Sequence, residues 1–201
     1  MCKRIIMIGT LVLACAAGTL AQQPGAMASK ADSTTIVEPS KTFDAALSSF
    51  EEQFVGLAKA MPAEKYSFAP SAAIFAASQK TDYLSPDNKG VRNFGQMVAH
   101  VAQANYFYGG MLSGLKPDTD VKAIGNLTDK DQITMALEKS FAFVHQAMGT
   151  LTADNAFQSV RGEQTRASVA AGVIAHGFDH YGQLAEYLRM NGIVPPASEK
   201  K

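Results

Sequence analysis

The sequence of 201 residues predicts an all-α fold, a four-helix bundle of the up-down type with one or more longer connections. Three observations carry this expectation. Four long segments place apolar residues at alternating spacings of three and four, the mark of an amphipathic helix. No segment of useful length alternates apolar and polar residues with period two, so no strands are expected. Modest polar loops join the four segments, and no internal repeat is present.

Residues 1–21 read as a signal peptide and stand outside the fold. Lys3 and Arg4 give a positive start, and residues 5–17 form an apolar run. That run falls short of the ~20 residues a membrane span needs. Thr19-Leu20-Ala21 offers small residues where an export peptidase cuts, with cleavage before Gln22. A second reading uses Val12-Leu13-Ala14-Cys15 as a lipoprotein box with Cys15 lipidated, for which Leu13 is a poor residue. The expected destination is outside the cytoplasm, periplasmic or extracellular, with no membrane span in the mature form.

Residues 22–39 carry Ala, Ser, Thr, Gln and Pro with little apolar content and read as a flexible leader. The bundle is expected over 40–196, followed by a tail at 197–201. Ser40 is the expected cap of the first helix, with Phe43, Leu47, Phe50, Phe54, Leu57 and Met61 inward and Pro62 as its stop. A short helical piece is expected at 72–77, before a polar loop ending near Gly90. The second helix is expected from about 91 to 115, with a stripe of Phe94, Met97, Val101, Ala104 and Tyr108. Gly114 and Pro117 mark its end. Thr128 is the expected cap of the third helix, whose inward residues are Ile133, Leu137, Val144, Met148 and Leu151. The fourth helix spans about 165–190, with Val169, Val173, His176, His180, Leu184 and Tyr187 along one side. Asn191-Gly192 and Pro195-Pro196 stop it.

Composition excludes several functions. Both cysteines, Cys2 and Cys15, fall within the signal segment, so the mature chain has no disulfide, thiolate ligand or cysteine nucleophile. About 180 residues remain, enough for one substantial core. Removing Lys3 and Arg4 leaves 16 basic against 18 acidic residues, a net charge of −2. No basic stretch interleaves with aromatics, so nucleic acid is excluded as a partner. No Ser-His-Asp arrangement, carboxylate pair or phosphate loop stands out, and Gly109-Gly110 lies inside a helix.

The chain has four histidines. His176 and His180 are four apart, so on a helix they share one face about 5–6 Å apart at Cβ. Both continue the inward stripe of Val169 and Val173, where each buried ring nitrogen needs a partner. One shared metal ion satisfies both. His100 borders the inward stripe of the second helix, and bundle metal sites are assembled from facing helices in this way. Three neutral imidazoles make an open site of the catalytic type, able to lower the pKa of a coordinated water towards ~7 or to polarise a thiol or carbonyl. Imidazole ligands suit zinc, nickel, copper and iron alike. His145 sits at the edge of the third helix's face, as a boundary residue or a fourth ligand. Asp179 is either an acceptor for a ligand's second N–H or a solvated carboxylate. Gln183 extends the histidine face towards a pocket. Tyr106 reads as boundary packing or as a proton donor, and Glu163 as favourable charge before the fourth helix.

Phe94-Gly95-Gln96-Met97-Val98-Ala99-His100-Val101-Ala102-Gln103-Ala104-Asn105-Tyr106 resembles the second-helix motif of the DinB-like (damage-inducible) superfamily. His176-Gly177-Phe178-Asp179-His180-Tyr181-Gly182-Gln183-Leu184, running on to Tyr187-Leu188-Arg189 and Pro195-Pro196, resembles its last-helix motif, and residues 61–70 match the stretch after its first helix. The resemblance covers roughly 43–196. It implies a bundle with a three-histidine site on His100, His176 and His180 that binds a divalent metal ion, zinc or nickel. It also implies a homodimer, and an activity among thiol-dependent transferases and isomerases. The export signal and a longer loop over 78–90 depart from the common pattern. A pool of reduced thiol is not expected outside the cytoplasm, so a hydrolase stands beside the thiol-dependent transferase as the expected enzyme type. Its small-molecule substrate is not indicated by the sequence. The competing expectations are a non-catalytic metal-binding or stress-related module, and a plain bundle with core histidines.

Overall fold

The computed structural model describes residues 36–70 and 91–199. The signal segment, Cys15, nearly all of the leader, the helical piece at 72–77 and the loop over 78–90 lie outside the described residues.

Helix α1 spans Pro39–Ala60, one residue ahead of the expected cap Ser40. Proline suits the first helical turn, where its missing N–H would have no intrahelical partner. Met61 and Pro62 end the helix, a 3₁₀ turn over Ala63–Lys65 follows, and Lys130 closes the exposed carbonyls. Its Nζ donates to Lys59 O at 2.9 Å and Met61 O at 2.8 Å, placing a cation at the negative end of α1.

Helix α2 spans Phe94–Ser113 and starts three residues later than the periodicity predicts. The reason is a capping box. Asn93 Oδ1 accepts from Gln96 N at 2.8 Å, and Gln96 Oε1 accepts from Asn93 N at 3.0 Å. The next two free N–H groups are taken by the chain that follows α1: Phe94 N donates to Phe68 O and Gly95 N to Tyr66 O, each at 2.8 Å. Gly114, with φ +79°, ends the helix.

The connection after α2, for which the sequence predicts a polar loop, contains a short helix α3, Val121–Ile124, capped by Asp120. Helix α4 spans Lys130–Met148, capped by Asp129, whose carboxylate accepts from Gln132 N at 2.9 Å. Thr128 is not the cap. The absence of strands was also a wrong expectation. β1 (Ser159–Arg161) pairs antiparallel with β2 (Gln164–Thr165). Two pieces this short leave no period-two signature. Gly162, at φ +57°, makes their turn, and Glu163 lies in that turn, ahead of the last helix. Helix α5, Arg166–Met190, starts at a second capping box formed by Thr165 and Ser168.

The long helices pack in the ring order α1–α4–α2–α5, so α1 and α2 lie across the diagonal. A long α1–α2 connection is what that arrangement needs. Phe50, Phe54, Phe94, Phe141, Leu57 and Leu137 fill the interior, and the Phe50 ring stacks edge-on to Phe54 and Phe141 at 5.4 Å between centroids. Helix α2 packs on both α4 and α5, so its buried arc is wider than one stripe. Ala104 and Tyr108 are half-buried, while Asn105 is 2% exposed. Asn105 Nδ2 donates to Ser140 Oγ at 3.0 Å, and Ser140 donates on to Leu137 O at 2.6 Å, which satisfies both buried groups. None of the described helices is long and apolar enough to cross a membrane.

Candidate metal centre

Helices α2 and α5 bring His100, His176 and His180 together. One ring nitrogen from each lies within 4.8 Å of the others. His176 Nε2 and His180 Nε2 are 3.2 Å apart. Two nitrogens bound tetrahedrally to one ion at ~2.05 Å are separated by roughly 3.3 Å, so this pair already holds the spacing of co-ligands. The His100 ring meets His176 at 5.2 Å and His180 at 4.9 Å between centroids, both edge-on.

All three imidazoles are held neutral. Burial lowers their pKa values, most for His100, which falls from 6.5 to about 4, with Arg92, His180 and His176 adding to the effect. His176 is lowered by burial and by His180, with Asp179 opposing. His180 is lowered by burial; Gln183 and Asp179 oppose it. A neutral ring keeps a lone pair for a cation. Gln183 approaches His180 without hydrogen-bond geometry to its ring, because Nδ1 of His180 is buried with no partner among the described residues. Three neutral imidazoles, two of them with ring nitrogens at co-ligand spacing, form a donor set that fits a divalent ion.

The remaining sequence-derived residues divide. Asp179 and Gln183 are exposed and bonded to each other, Gln183 Nε2 donating to Asp179 Oδ2 at 3.1 Å, so Asp179 makes no hydrogen bond to a histidine ring. Tyr106 is not at the site. It packs on Phe143 of α4 at 5.2 Å between centroids and lines a separate cavity. His145 resolves as the boundary residue: its Nδ1 lies 2.5 Å from Asp44 Oδ1 and its Nε2 2.9 Å from Glu51 Oε2. With both nitrogens engaged, it has none free for a fourth ligand bond.

Two neighbours were missed. Arg92, just ahead of the α2 cap, is close enough for its charge to depress all three histidines. Tyr187 holds it there, donating from its hydroxyl to Arg92 O at 3.1 Å. Tyr108, read as stripe packing, meets the His176 ring at 5.6 Å. No local pattern marks Arg92, since its proximity comes only from the packing of α2 on α5.

The sequence model of the DinB superfamily matches residues 46–184, a span that holds all three histidines. The chain belongs to the DinB superfamily. The match covers α1 from its second turn through most of α5, so the helical bundle and the histidine cluster both lie inside the DinB part of the chain. The comparison with curated proteins gives no match.

Proposed function

We propose that this DinB-superfamily protein is exported and holds one divalent ion, zinc or nickel, on His100, His176 and His180 for hydrolytic or group-transfer chemistry on a small anionic substrate. The observation that carries this reading is the facing Nε2 pair at 3.2 Å inside a cluster of three neutral histidines. Such an ion supplies a Lewis-acidic centre that polarises an oxygen or sulfur donor. Three protein ligands leave a coordination position for substrate, as in catalytic rather than structural sites.

The chain's own residues supply the rest. Burial and the Arg92 charge keep the imidazoles unprotonated, so they bind the cation without first losing a proton. Arg92 favours a substrate with a carboxylate, phosphate or similar anionic group beside the centre. Once Nε2 of His180 is committed to the cation, its Nδ1 carries the proton. Gln183 Oε1, after the side chain turns away from Asp179, would accept a hydrogen bond from that N–H and so orient the ring.

The Asp179–Gln183 pairing also favours a second reading. No described carboxylate bonds to a ring of the cluster, and without an acid–base partner the centre serves a metal-binding module that does no chemistry. Metal analysis of the mature, untagged protein, with turnover assays on ester, amide and thiol-transfer panels, separates the two. Stoichiometric metal with turnover abolished by His180→Ala is expected. Stoichiometric metal without turnover supports the module, and no metal overturns both.

A further inference from the structure

We propose that the seam between α2 and α4 carries a binding site, separate from the histidine cluster, for a free amphipathic carboxylate: an apolar chain ended by one anionic group. Two adjoining cavities lie there, of about 450 Å³ and about 350 Å³, sharing Tyr106, Thr119 and Lys139. Both volumes fall within the range of small-molecule sites.

The two ends differ in character. Lys116 and Lys139 border the larger cavity, while Ile124, Leu127, Met135 and Ala136 line the smaller one. Among the described residues the ion pairs involve Lys59, His145 and Arg189, so neither groove lysine has an acidic partner. Asp118 also lines the lysine end. Asp120 lines the smaller cavity, where its Oδ1 accepts from Lys122 N and Ala123 N; at the lysine end two positive charges face one negative, which suits a single anionic group rather than a dianion.

Tyr106 stands where the cavities meet. It is 4% exposed, and its hydroxyl makes no hydrogen bond among the described residues. A hydroxyl so placed is free to donate to a carboxylate lying between the lysines. Burial, helped by Asp118, raises the phenol pKa and keeps that proton in place. Apolar surface is also left uncovered at both ends: Met135 is 54% and Leu115 40% exposed, as expected of a groove that takes an apolar ligand.

The test uses the full mature chain, metal-loaded and EDTA-treated, titrated with octanoate and with neutral octanamide by calorimetry and by amide chemical shifts. Octanoate should bind both forms equally and at least tenfold more tightly than octanamide, with shifts centred on Tyr106 and Lys139. Lys116→Gln with Lys139→Gln should remove that tenfold preference, and Tyr106→Phe should reduce it, with the amide spectrum otherwise unchanged. Equal affinity for octanoate and octanamide overturns the proposal. So does binding that is lost with the metal, or seen only with vesicles of anionic phospholipid. Binding that appears only after residues 22–39 are removed, or only on dilution of a dimer, assigns the groove to the leader or to a second copy and equally overturns it.

Discussion

The ring of Phe50 on α1 rests directly on the backbone of Gly177 on α5: a Cβ at position 177 would stand 2.1 Å from Phe50 Cζ. Gly177 lies between His176 and His180, so the same close approach that seats α1 also sets the turn of α5 carrying both histidines. Phe50 cannot swing aside freely, since Phe54, Phe141 and Phe178 surround its ring at 5.4, 5.4 and 5.0 Å.

Gly177→Ala is therefore expected to destabilise the protein by about 3 kcal/mol through overpacking and to weaken metal binding as well. Phe50→Leu should restore much of the loss when added to it. Urea unfolding and metal titration of the four proteins of this cycle check both effects; additive losses would show that the two residues do not act on each other.

Metal should stabilise the bundle. For the wild-type chain at zinc or nickel 100-fold above its dissociation constant, the gain is about 2.7 kcal/mol. His100→Ala, His176→Ala and His180→Ala should each lose most of that gain, read as a flat Tm against added metal.

Acid should weaken the metal-free protein. The histidines of the cluster have pKa values below 6.5, with His100 at about 4. Between pH 6.5 and about 4 the unfolded chain takes up protons that the folded cluster refuses, so stability is full above 6.5 and declines as pH falls through that window. A triple histidine-to-alanine variant should lose this part of the acid dependence. Its measurement is the slope of unfolding free energy against pH.

His145 should act in the opposite direction. Burial lowers its pKa, but hydrogen bonds and charge from Asp44 and Glu51 prevail and raise it above 6.5. Its ion pairs contribute in full below about pH 6.5, while both carboxylates are ionised, and the contribution is lost as pH rises through the raised value. His145→Gln should cost about 1 kcal/mol near pH 6 and almost nothing near pH 9. Equal Tm losses at the two pH values would contradict this account.

Helix periodicity made α1, α4 and α5 readable to within a few residues, because each buries one stripe of Leu, Phe, Val or Ile. The stripe of α2 was drawn too narrowly, since that helix faces two neighbours and buries Asn105 beside its apolar residues. Capping chemistry moved two starts: Asn93 and Asp129 make cap bonds that spacing alone does not reveal, whereas Thr165 caps the last helix where its start was expected. The three histidines were legible as a group because two share a turn and the third borders its own inward face. Arg92 and the Asp44–His145–Glu51 cluster were not, because each depends on which helices become neighbours. Tyr106 failed as a site residue for a simple geometric reason: six residues beyond His100 is a different face of α2.

The diagonal placement of α1 and α2 has a consequence for how the chain folds as it is made. The first of the described helices finds its principal partners in α4 and α5, so Leu47, Phe50 and Phe54 have no complete surface to bury against until α5 exists. Contacts this distant in sequence slow folding and delay commitment. A nascent chain lacking α5 stays open along α1, with the apolar stripe of that helix still uncovered.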